Sequence, residues 1–596
     1  MPPTISTLRG WNPHTITAAG DAAQTAASTL DGALDAVVRA MDSAEDWHGQ
    51  THDAAGTKVN QERDHADEVR NVLNQIADEA KDAAQDLTHS REFVLREVDG
   101  AIAGGFTVSD TGDVTHPDDD KADTAKTLQA SIKNGLNVIG QFDQDYGTRI
   151  ANLKGDLAAM VNGQPDVTLP DGTKADPDDV VDRLKTMHPT QVRNFLAKMT
   201  DDDVRRLVQA DPHTMGNLNG VPFPVRANAN EISIRNALAD ERQAGNGNSP
   251  RAQMLEAMLK QKNDPRVAGD RDNDFGKDSP DDHMVERQFI SFENTKNGRF
   301  IEMIGNYGPG TRNATVYVPG TGSNLNGSGV NYNAAWDLAH ETRGPVFVYM
   351  DGDLPQKMGY EGWPNFLGGV NTATVTGFAA SLDGSAVDPD FARDMAPRLV
   401  GFGKELDIEL AEHAPGAQTT FIGHSYGGSV VGSAEQLGLR ADKVIYASSA
   451  GTGVFDGPWH NPNPNVQRFS LTAPGDLIQY VQGIPGSPHG GDPDVLPGVT
   501  RLDTGYYDRD NAAHPGGLVE GPSGHGDYWN DKRSTAFQNM VKAINDDHPT
   551  PYVHREDDRP TDDAVAAAGD YAKFQLRVLG GMLIPGADIP LRLWNR

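Results

Sequence analysis

The sequence contains no cysteine among its 596 residues. This absence excludes disulfide bonds, cysteine nucleophiles and metal sites built from thiolates, although it leaves the cellular compartment open. Basic residues are also scarce, since 52 lysines and arginines stand against 85 aspartates and glutamates, a formal net charge of −33. A protein that binds the phosphate backbone needs a basic surface to displace counterions, so we expect no nucleic-acid partner.

Long apolar runs are missing as well. No stretch of about 18 uninterrupted apolar residues is present, and the first twenty residues lack the apolar core of a secretory signal. We therefore expect a soluble protein without a signal peptide or transmembrane span. The predicted C-terminal tail, 549–596, is apolar over 574–594 but is interrupted by glycine, proline and charge. We expect this tail to pack on the body of the protein rather than to contact a membrane.

The first part of the chain carries helical patterning. Alanine, leucine and charged residues recur at helical spacing over about 14–44, 50–100 and 121–162. A Trp-His-Gly turn, Trp47 to Gly49, separates the first two segments, which predicts an antiparallel helical hairpin. We predict a helical bundle over 1–162, followed over 163–275 by a helical connector.

No cofactor or metal is predicted. The acidic stretch 270–281 resembles a calcium-binding loop. Such a loop needs glycine at its sixth position and a bidentate glutamate at its twelfth, where this sequence has Phe275 and Asp281. We interpret the stretch as a solvated linker.

The segment QTTFIGHSYGGSV, 418–430, places Ser425 between glycines at a strand-to-helix junction. This is the G-x-S-x-G pattern of a nucleophile elbow, in which a strained turn exposes the serine. Glycine at positions 423 and 427 removes collisions with neighbouring chain. A second predicted strand, Lys443–Ala447, completes a strand-helix-strand unit typical of a parallel sheet. Ser425 is therefore the predicted nucleophile, and we predict an α/β-hydrolase domain with a mostly parallel central sheet.

Residues 276–548 form this predicted domain, and they supply an acid in the expected order. α/β-Hydrolases place serine, acid and histidine in that sequence along the chain, on loops that follow successive strands. A predicted strand at 466–471 opens into a loop that carries Asp476, our predicted acid. The alternatives are Asp492, Asp494 and Asp503.

The predicted base is His525. It lies between glycines, after a predicted strand at 498–503 and before a predicted helix at 534–545. His489 and His514 are the rivals, because both also lie downstream of the serine. His424 adjoins the nucleophile, and we expect its side chain to point away from the reaction centre and to be structural.

Backbone N–H groups are predicted to stabilise an oxyanion. One is that of Tyr426, which follows the nucleophile, and the second comes from the loop after the predicted strand 315–318. In that loop we choose Thr321, with Gly322 as the alternative. Between the strand Val346–Met350 and the elbow, 353–387 is predicted to form a cap. We expect its Trp363, Phe366 and Phe378 either to line an acyl pocket or to pack the cap onto the sheet.

Two parts of the chain resemble known families. The Trp47-His48-Gly49 turn resembles the WXG-type hairpins of actinobacterial type VII secretion. Those proteins carry an export signal with a tyrosine four residues before an acid, where this chain has Phe93 and Glu97. The GHSYGG elbow, together with an upstream stretch, resembles an actinobacterial α/β-hydrolase family of undefined substrate, over residues extending to about 548. The upstream positions that carry this second resemblance are Gly220, Pro222, Arg226, Ala229 and Asn230.

Together these patterns predict a multidomain α and α/β protein that acts as a serine hydrolase of the carboxylesterase, lipase or thioesterase type. Its substrate would be a small-molecule or lipid acyl ester. The alternative is a secretion-linked binding or structural protein whose hydrolase fold is inactive. The hairpin resemblance implies a helical-hairpin partner protein or self-association, and a location that is either cytoplasmic or reached by a type VII-like export route.

Overall fold

The computed structural model describes residues 2–43, 50–161, 166–267, 284–357, 385–386, 388–455, 458–476, 478–482 and 488–555. The chain forms two compact units. The helical unit comprises Met1–Val221, Asn228–Gln261 and Asp272–Glu286, and the sheet unit comprises Pro222–Ala227, Lys262–Arg271 and Arg287–Arg596. The domain boundaries suggested by the sequence at 162, 275 and 548 remain predictions.

The helical unit is built mainly from long helices that bury one face each. Its elements are α1 (Ile5–Gly10), α2 (His14–Asp42), α3 (Gln50–Ala103), β1 (Thr107–Val108), β2 (Val114–Thr115), α4 (Ala122–Val161), β3 (Val167–Thr168), β4 (Lys174–Ala175), α5 (Pro177–Lys185), α6 (Pro189–Leu196), α7 (Asp201–Ala210), α8 (Pro212–Asn217), α9 (Phe223–Gln243, which begins in the sheet unit), α10 (Pro250–Met258) and β6 (Met284–Val285). The helices predicted over 14–44, 50–100 and 121–162 are confirmed.

Helices α2 and α3 run antiparallel, as the sequence predicts. Gln24 donates to Asn74 at 3.0 Å, and seven residues further along α2 Asp31 pairs with Arg70 at 3.3 Å. The partner position thus moves backwards along α3 as one moves forward along α2. Residues Trp47, His48 and Gly49 lie outside the described residues.

Apolar residues at helical spacing on α3 and α4 pack against each other. Leu87, Val94 and Val98 of α3 share one buried cluster with Ile132 and Leu136 of α4, at the spacing that aligns side chains on one helix face. Phe93 packs at the margin of this cluster, and Glu97 accepts a hydrogen bond from Ser131 at 3.3 Å. Both side chains therefore have contacts within the helical unit.

The sheet unit holds an eight-stranded, mostly parallel sheet. Its elements are β5 (Lys262–Asn263), β7 (Gln288–Glu293), β8 (Arg299–Ile304), β9 (Asn313–Val318), α11 (Gly329–Thr342), β10 (Val346–Met350), α12 (Asp390–His413), β11 (Gln418–His424), α13 (Tyr426–Gln436), β12 (Lys443–Ala447), β13 (Gln467–Leu471), α14 (Ile478–Gln482), β14 (Thr500–Arg501), 3₁₀ turns at Pro522–His525 and Asp527–Asn530, and α15 (Thr535–Ile544). The strand order is β14-β13-β12-β11-β9-β10-β8-β7. Pairing is parallel from β14 to β10 and antiparallel from β10 through β8 to β7.

The register of the parallel strands aligns their carboxyl ends. Gly423 of β11 pairs with Val318 of β9 on one side and with Tyr446 of β12 on the other, and Tyr446 pairs with Ser470 of β13. The loops that leave β9, β11 and β13 therefore start from one row across the sheet. In open parallel sheets this edge is where binding and catalytic residues collect.

Helices on the sheet bury its central strands. Val316, Phe421 and Val444 of neighbouring strands belong to one core with Leu399 and Leu406 of α12. Strands β9, β10 and β12 are buried along their whole lengths, which explains their nearly continuous apolar sequences. Strand β14 has only two residues where the sequence predicts six, because pairing with β13 is limited to two residue pairs.

The upstream residues that carry the second resemblance make close packing contacts. Phe223 stacks on Phe402 with ring centroids 5.9 Å apart, and its N–H donates to Glu409 at 2.9 Å. Burial lowers the pKa of Arg226 to about 10, although the nearby carboxylates, Glu409 among them, act in the opposite direction. Gly220 has φ +94°, and a β-carbon there would lie 2.1 Å from the carbonyl oxygen of Pro189. These residues stabilise the fold.

The sequence predicts neither a transmembrane span nor a bound metal. None of the helices in the described part of the chain has the length and apolar character needed to cross a bilayer. Within those same residues, histidine and acidic side chains nowhere gather in a group of three that could hold a metal ion. The acidic stretch 270–281 is outside the described residues, and so is the tail beyond residue 555.

Candidate active site

Ser425 occupies a strained backbone position between β11 and α13. Its φ is +55° and its ψ −121°, a conformation that is rare for a residue other than glycine. The end of β12 holds this conformation, because the Ser425 N–H donates to the carbonyl of Ala447 at 3.0 Å and the Ser425 carbonyl accepts from Ala450 at 2.9 Å. The side chain is nearly buried, with 5% of the residue exposed.

The glycines around Ser425 are required by close backbone contacts. A β-carbon on Gly423 would lie 2.4 Å from the α-carbon of Gly428, and one on Gly427 would lie 2.1 Å from the carbonyl oxygen of Val318. A side chain at either position would therefore collide with the backbone, as the sequence predicts. A third close approach involves Gly320, because a β-carbon added there would lie 2.6 Å from the β-carbon of Ser425. The loop after β9 thus lies directly against the serine.

Asp476 and His525 are hydrogen-bonded to each other. His525 Nδ1 lies 2.9 Å from Asp476 Oδ1 and 3.1 Å from Oδ2, and Asp476 is fully buried. A carboxylate has no proton to give, so this contact assigns the proton to Nδ1 and leaves Nε2 of a neutral ring as an acceptor. The N–H of Ile478 donates to the same carboxylate at 2.9 Å. The two residues lie in the loops that follow β13 and β14.

The alternative acids have other partners. Asp503 pairs with Arg555 through both carboxylate oxygens at 2.7 Å. Asp492 accepts from the N–H of Asp494 at 2.8 Å, and Asp494 lies 3.6 Å from Arg501. Burial raises the pKa of both Asp492 and Asp494.

The alternative bases are also held by other groups. His489 Nε2 lies 2.8 Å from the carbonyl oxygen of Ala386, and burial lowers the pKa of this histidine to about 4. His514 lies 3.3 Å from Asp527 and stacks on Tyr507 with ring centroids 4.8 Å apart.

The sequence analysis did not predict the contact between His424 and the proposed base. The ring of His424 lies beside that of His525, with ring centroids 5.1 Å apart and Nε2 2.8 Å from the His525 carbonyl oxygen. The reason is tertiary: the segment that carries His525 passes over the end of β11, where the His424 side chain projects.

An aromatic group beneath these histidines was missed by the sequence reasoning. Trp529 packs against His424 at 5.7 Å and against Tyr317 at 4.9 Å, and Tyr528 lies within 3.5 Å of the hydroxyl of Ser448. The available signal was the Tyr-Trp pair three residues after His525, since adjacent large aromatics next to a candidate base indicate a packed support.

The predicted oxyanion donors lie in two segments that adjoin Ser425. Tyr426 is the first residue of α13, so its N–H has no acceptor within the helix. Thr321 follows Gly320, the residue in close contact with the serine. The N–H of the alternative, Gly322, donates to the carbonyl of Pro355 at 2.8 Å and is therefore engaged.

The Tyr426 side chain anchors the start of α12. Its hydroxyl donates to the carbonyl of Asp388 and accepts from the N–H of Ala392 at 3.2 Å, while burial raises the pKa of the phenol. Most of the predicted cap, including Trp363, Phe366 and Phe378, lies outside the described residues.

Known proteins share similarity with parts of this chain. Residues 295–485 match a family model described as Alpha/beta hydrolase. This segment contains Ser425 and Asp476, whereas His525 lies beyond it. Two uncharacterized proteins of Mycobacterium tuberculosis, from the CDC 1551 and H37Rv strains, are each 24% identical to the chain over 294 residues. The alignment covers 44% of this chain and 39% of each relative, so the chain spans about two fifths of the length of these curated relatives.

No solved structure shows significant similarity to the chain. The matched family and the observed sheet agree, since an Alpha/beta hydrolase model covers the strands from β8 to β13. The sheet unit therefore carries a domain of the alpha/beta hydrolase fold.

Proposed function

We propose that this protein is a serine hydrolase that cleaves an acyl ester or thioester through Ser425, His525 and Asp476. The observation that carries the proposal is the hydrogen bond between His525 Nδ1 and the buried Asp476 carboxylate, at 2.9 Å, on loops at the same sheet edge as the strained Ser425. The fold alone does not establish an activity, because the same architecture hosts many functions.

The roles follow from proton affinities. A serine hydroxyl is a weak nucleophile at neutral pH, and a neutral imidazole can accept its proton as the hydroxyl oxygen attacks the substrate carbonyl. In the proposed mechanism, His525 Nε2 receives the proton of Ser425. Asp476 holds the ring in the tautomer with Nδ1 protonated and stabilises the imidazolium that forms.

The remaining steps regenerate the enzyme. The tetrahedral intermediate carries its negative charge on the former carbonyl oxygen, where the N–H groups of Tyr426 and Thr321 are proposed to donate. As the intermediate collapses, the bond to the alcohol or thiol breaks and His525 gives its proton to that leaving group. Water then attacks the acyl-serine with His525 as base, and the acid and free Ser425 are released.

Labelling with a fluorophosphonate tests the proposal without knowledge of the substrate. The reagent phosphonylates an activated serine, and peptide mass spectrometry locates the modified residue. We expect wild-type protein to be labelled at Ser425 and to hydrolyse p-nitrophenyl butyrate, and Ser425→Ala to lose both. Ser433→Ala is the matched control, because this residue lies on helix α13, which directly follows the nucleophile. This variant should retain both the labelling at Ser425 and the hydrolysis of p-nitrophenyl butyrate.

The alternative function gives the opposite result. A secretion-linked binding protein with an inactive hydrolase fold would remain unlabelled at Ser425 in a sample that is fully folded by circular dichroism. Helix α2 and helix α3 form the antiparallel pair on which this alternative depends. A helical-hairpin partner, self-association and type VII-like export remain predictions that labelling does not test.

A further inference from the structure

His424 makes contacts that the proposed mechanism does not use. It is the last residue of β11 and immediately precedes Ser425. Its Nε2 lies 2.8 Å from the backbone carbonyl oxygen of His525, and its ring packs against those of His525 and Trp529, at 5.1 and 5.7 Å. The nucleophile's strand is thereby joined to the segment that carries the proposed base.

The hydrogen bond determines the tautomer of His424. A carbonyl oxygen only accepts, so Nε2 must carry the proton and donate it. Removal of the ring from water lowers the pKa of His424 to about 4, and the neighbouring His525 contributes in the same direction, whereas the His525 carbonyl and Asp476 act in the opposite direction. The ring is therefore neutral at neutral pH. A neutral neighbour adds no positive charge beside His525 when that residue takes up the serine proton.

The segment around His525 is built from short 3₁₀ turns rather than from a longer helix or a strand. His525 ends a 3₁₀ turn of four residues, and Gly526, with φ −154°, separates it from the next turn. Backbone contacts of Gly524 with Glu520 and Gly521 hold the start of the turn. The bond from His424 acts on the carbonyl of the base itself, which makes it a direct restraint on where the imidazole can lie.

We propose that His424 is a positioning residue, which fixes the His525 backbone through its Nε2–H donor so that the imidazole stays aligned with Ser425. This inference rests on the proposed function, because the alignment of the imidazole affects a rate only if Ser425 and His525 react together. It predicts that the loss of one N–H group will slow turnover while leaving substrate binding unchanged.

Three variants separate the donor from the size and shape of the side chain. His424→Gln keeps an N–H donor at the distance of Nε2, His424→Met has nearly the same length without a donor, and His424→Phe keeps a flat ring without a donor. The assay is hydrolysis of p-nitrophenyl butyrate by the full-length protein, with kcat and KM measured separately. Circular dichroism and thermal unfolding show whether each variant is folded.

We expect kcat to fall about tenfold in His424→Met and His424→Phe, which corresponds to about 1.4 kcal/mol. KM should stay within about twofold, since the acyl group is not bound by His424. His424→Gln should recover most of the lost kcat. The rate of fluorophosphonate labelling at Ser425 should follow the same order, and it provides a second measurement that needs no substrate.

The results that overturn the inference differ from those that overturn the proposed function. Wild-type kcat and labelling rate in folded His424→Met or His424→Phe would show that the donor is unimportant. A His424→Gln variant as slow as the other two would also overturn the inference, because it would show that an N–H donor at this position does not restore the rate. Undiminished hydrolysis by Ser425→Ala would instead refute the proposed function, whatever the His424 variants do.

Discussion

Substitution of Gly427 by alanine tests the contact between the nucleophile elbow and the loop after β9. The added β-carbon would lie 2.1 Å from the carbonyl oxygen of Val318 and 2.6 Å from that of Pro319. Both neighbours are backbone atoms, which cannot rotate away as a flexible side chain would. To restore a tolerable carbon–oxygen contact, the loop must retreat by about 1 Å, and a displacement of that size at a catalytic group costs about 100-fold in rate.

Gly427→Ala should therefore lower kcat for p-nitrophenyl butyrate about 100-fold, the size of the loss seen when one oxyanion donor is removed. Overpacking should also lower the free energy of unfolding by about 1–3 kcal/mol. Gly329→Ala is the matched control, because a β-carbon on that first residue of α11 would have nothing within 4 Å. It should retain wild-type kcat.

Fluorophosphonate labelling and thermal unfolding complete this experiment. Labelling reports on the same oxyanion donors, and the unfolding temperature shows whether the sheet unit remains intact at the assay temperature. If folded Gly427→Ala is labelled and turns over ester as fast as Gly329→Ala, the loop that contains Thr321 is not part of the reaction machinery. The proposed oxyanion site would then have to be abandoned.

Three further changes have outcomes that follow from the structure. Burial raises the pKa of Glu79 from 4.5 to about 7, so the folded state keeps a proton that the unfolded chain releases. The part of the unfolding free energy that Glu79 contributes, measured with urea as the difference between wild type and Glu79→Gln, should be fully present below pH 4.5 and fall by up to about 3 kcal/mol as the pH rises through 7. Glu79→Gln should remove that slope, and an equally steep slope in the variant would contradict the assignment. Glu302→Gln removes the countercharge of Arg287, whose Nε lies 2.6 Å from Glu302 in the sheet unit, and should cost about 3–5 kcal/mol of unfolding free energy. Arg393→Gln, at an exposed ion pair, should change it by less than about 1 kcal/mol, and equal effects would refute the burial argument. Asp476→Asn should reduce kcat about 10⁴-fold in a folded protein, because an amide can donate to Nδ1 and favour the wrong tautomer. Activity near the wild-type level would remove Asp476 from the mechanism.

Local sequence patterns predicted the features that depend on neighbours along the chain. The glycines at 423 and 427 mark the elbow because the collisions that they avoid arise within a few residues of Ser425 or from the adjacent strand. Strand β10 was predicted at its observed bounds, since a continuous apolar run in a fully buried strand has clear ends. Long helices such as α3 follow from repeated apolar spacing in the same way.

Features that depend on distant segments could not be predicted in this way. The position of His424 beside His525 joins residues about a hundred positions apart, and no local pattern encodes that contact. The same holds for Trp529, which lies in a 3₁₀ turn and packs on Tyr317 of the distant strand β9. The short length of β14 also depends on a distant segment, because only two of its residues pair with β13.

The arrangement of the three loops has a consequence for the protein during its synthesis. Under the proposed function, the ribosome adds the hydroxyl of Ser425 long before it adds the imidazole of His525. A nascent chain that has reached only the elbow has no base with which to activate that hydroxyl. Under that proposal, reaction with an ester begins only after the segment that carries His525, which follows the last strand of the sheet, has been made and has folded into place.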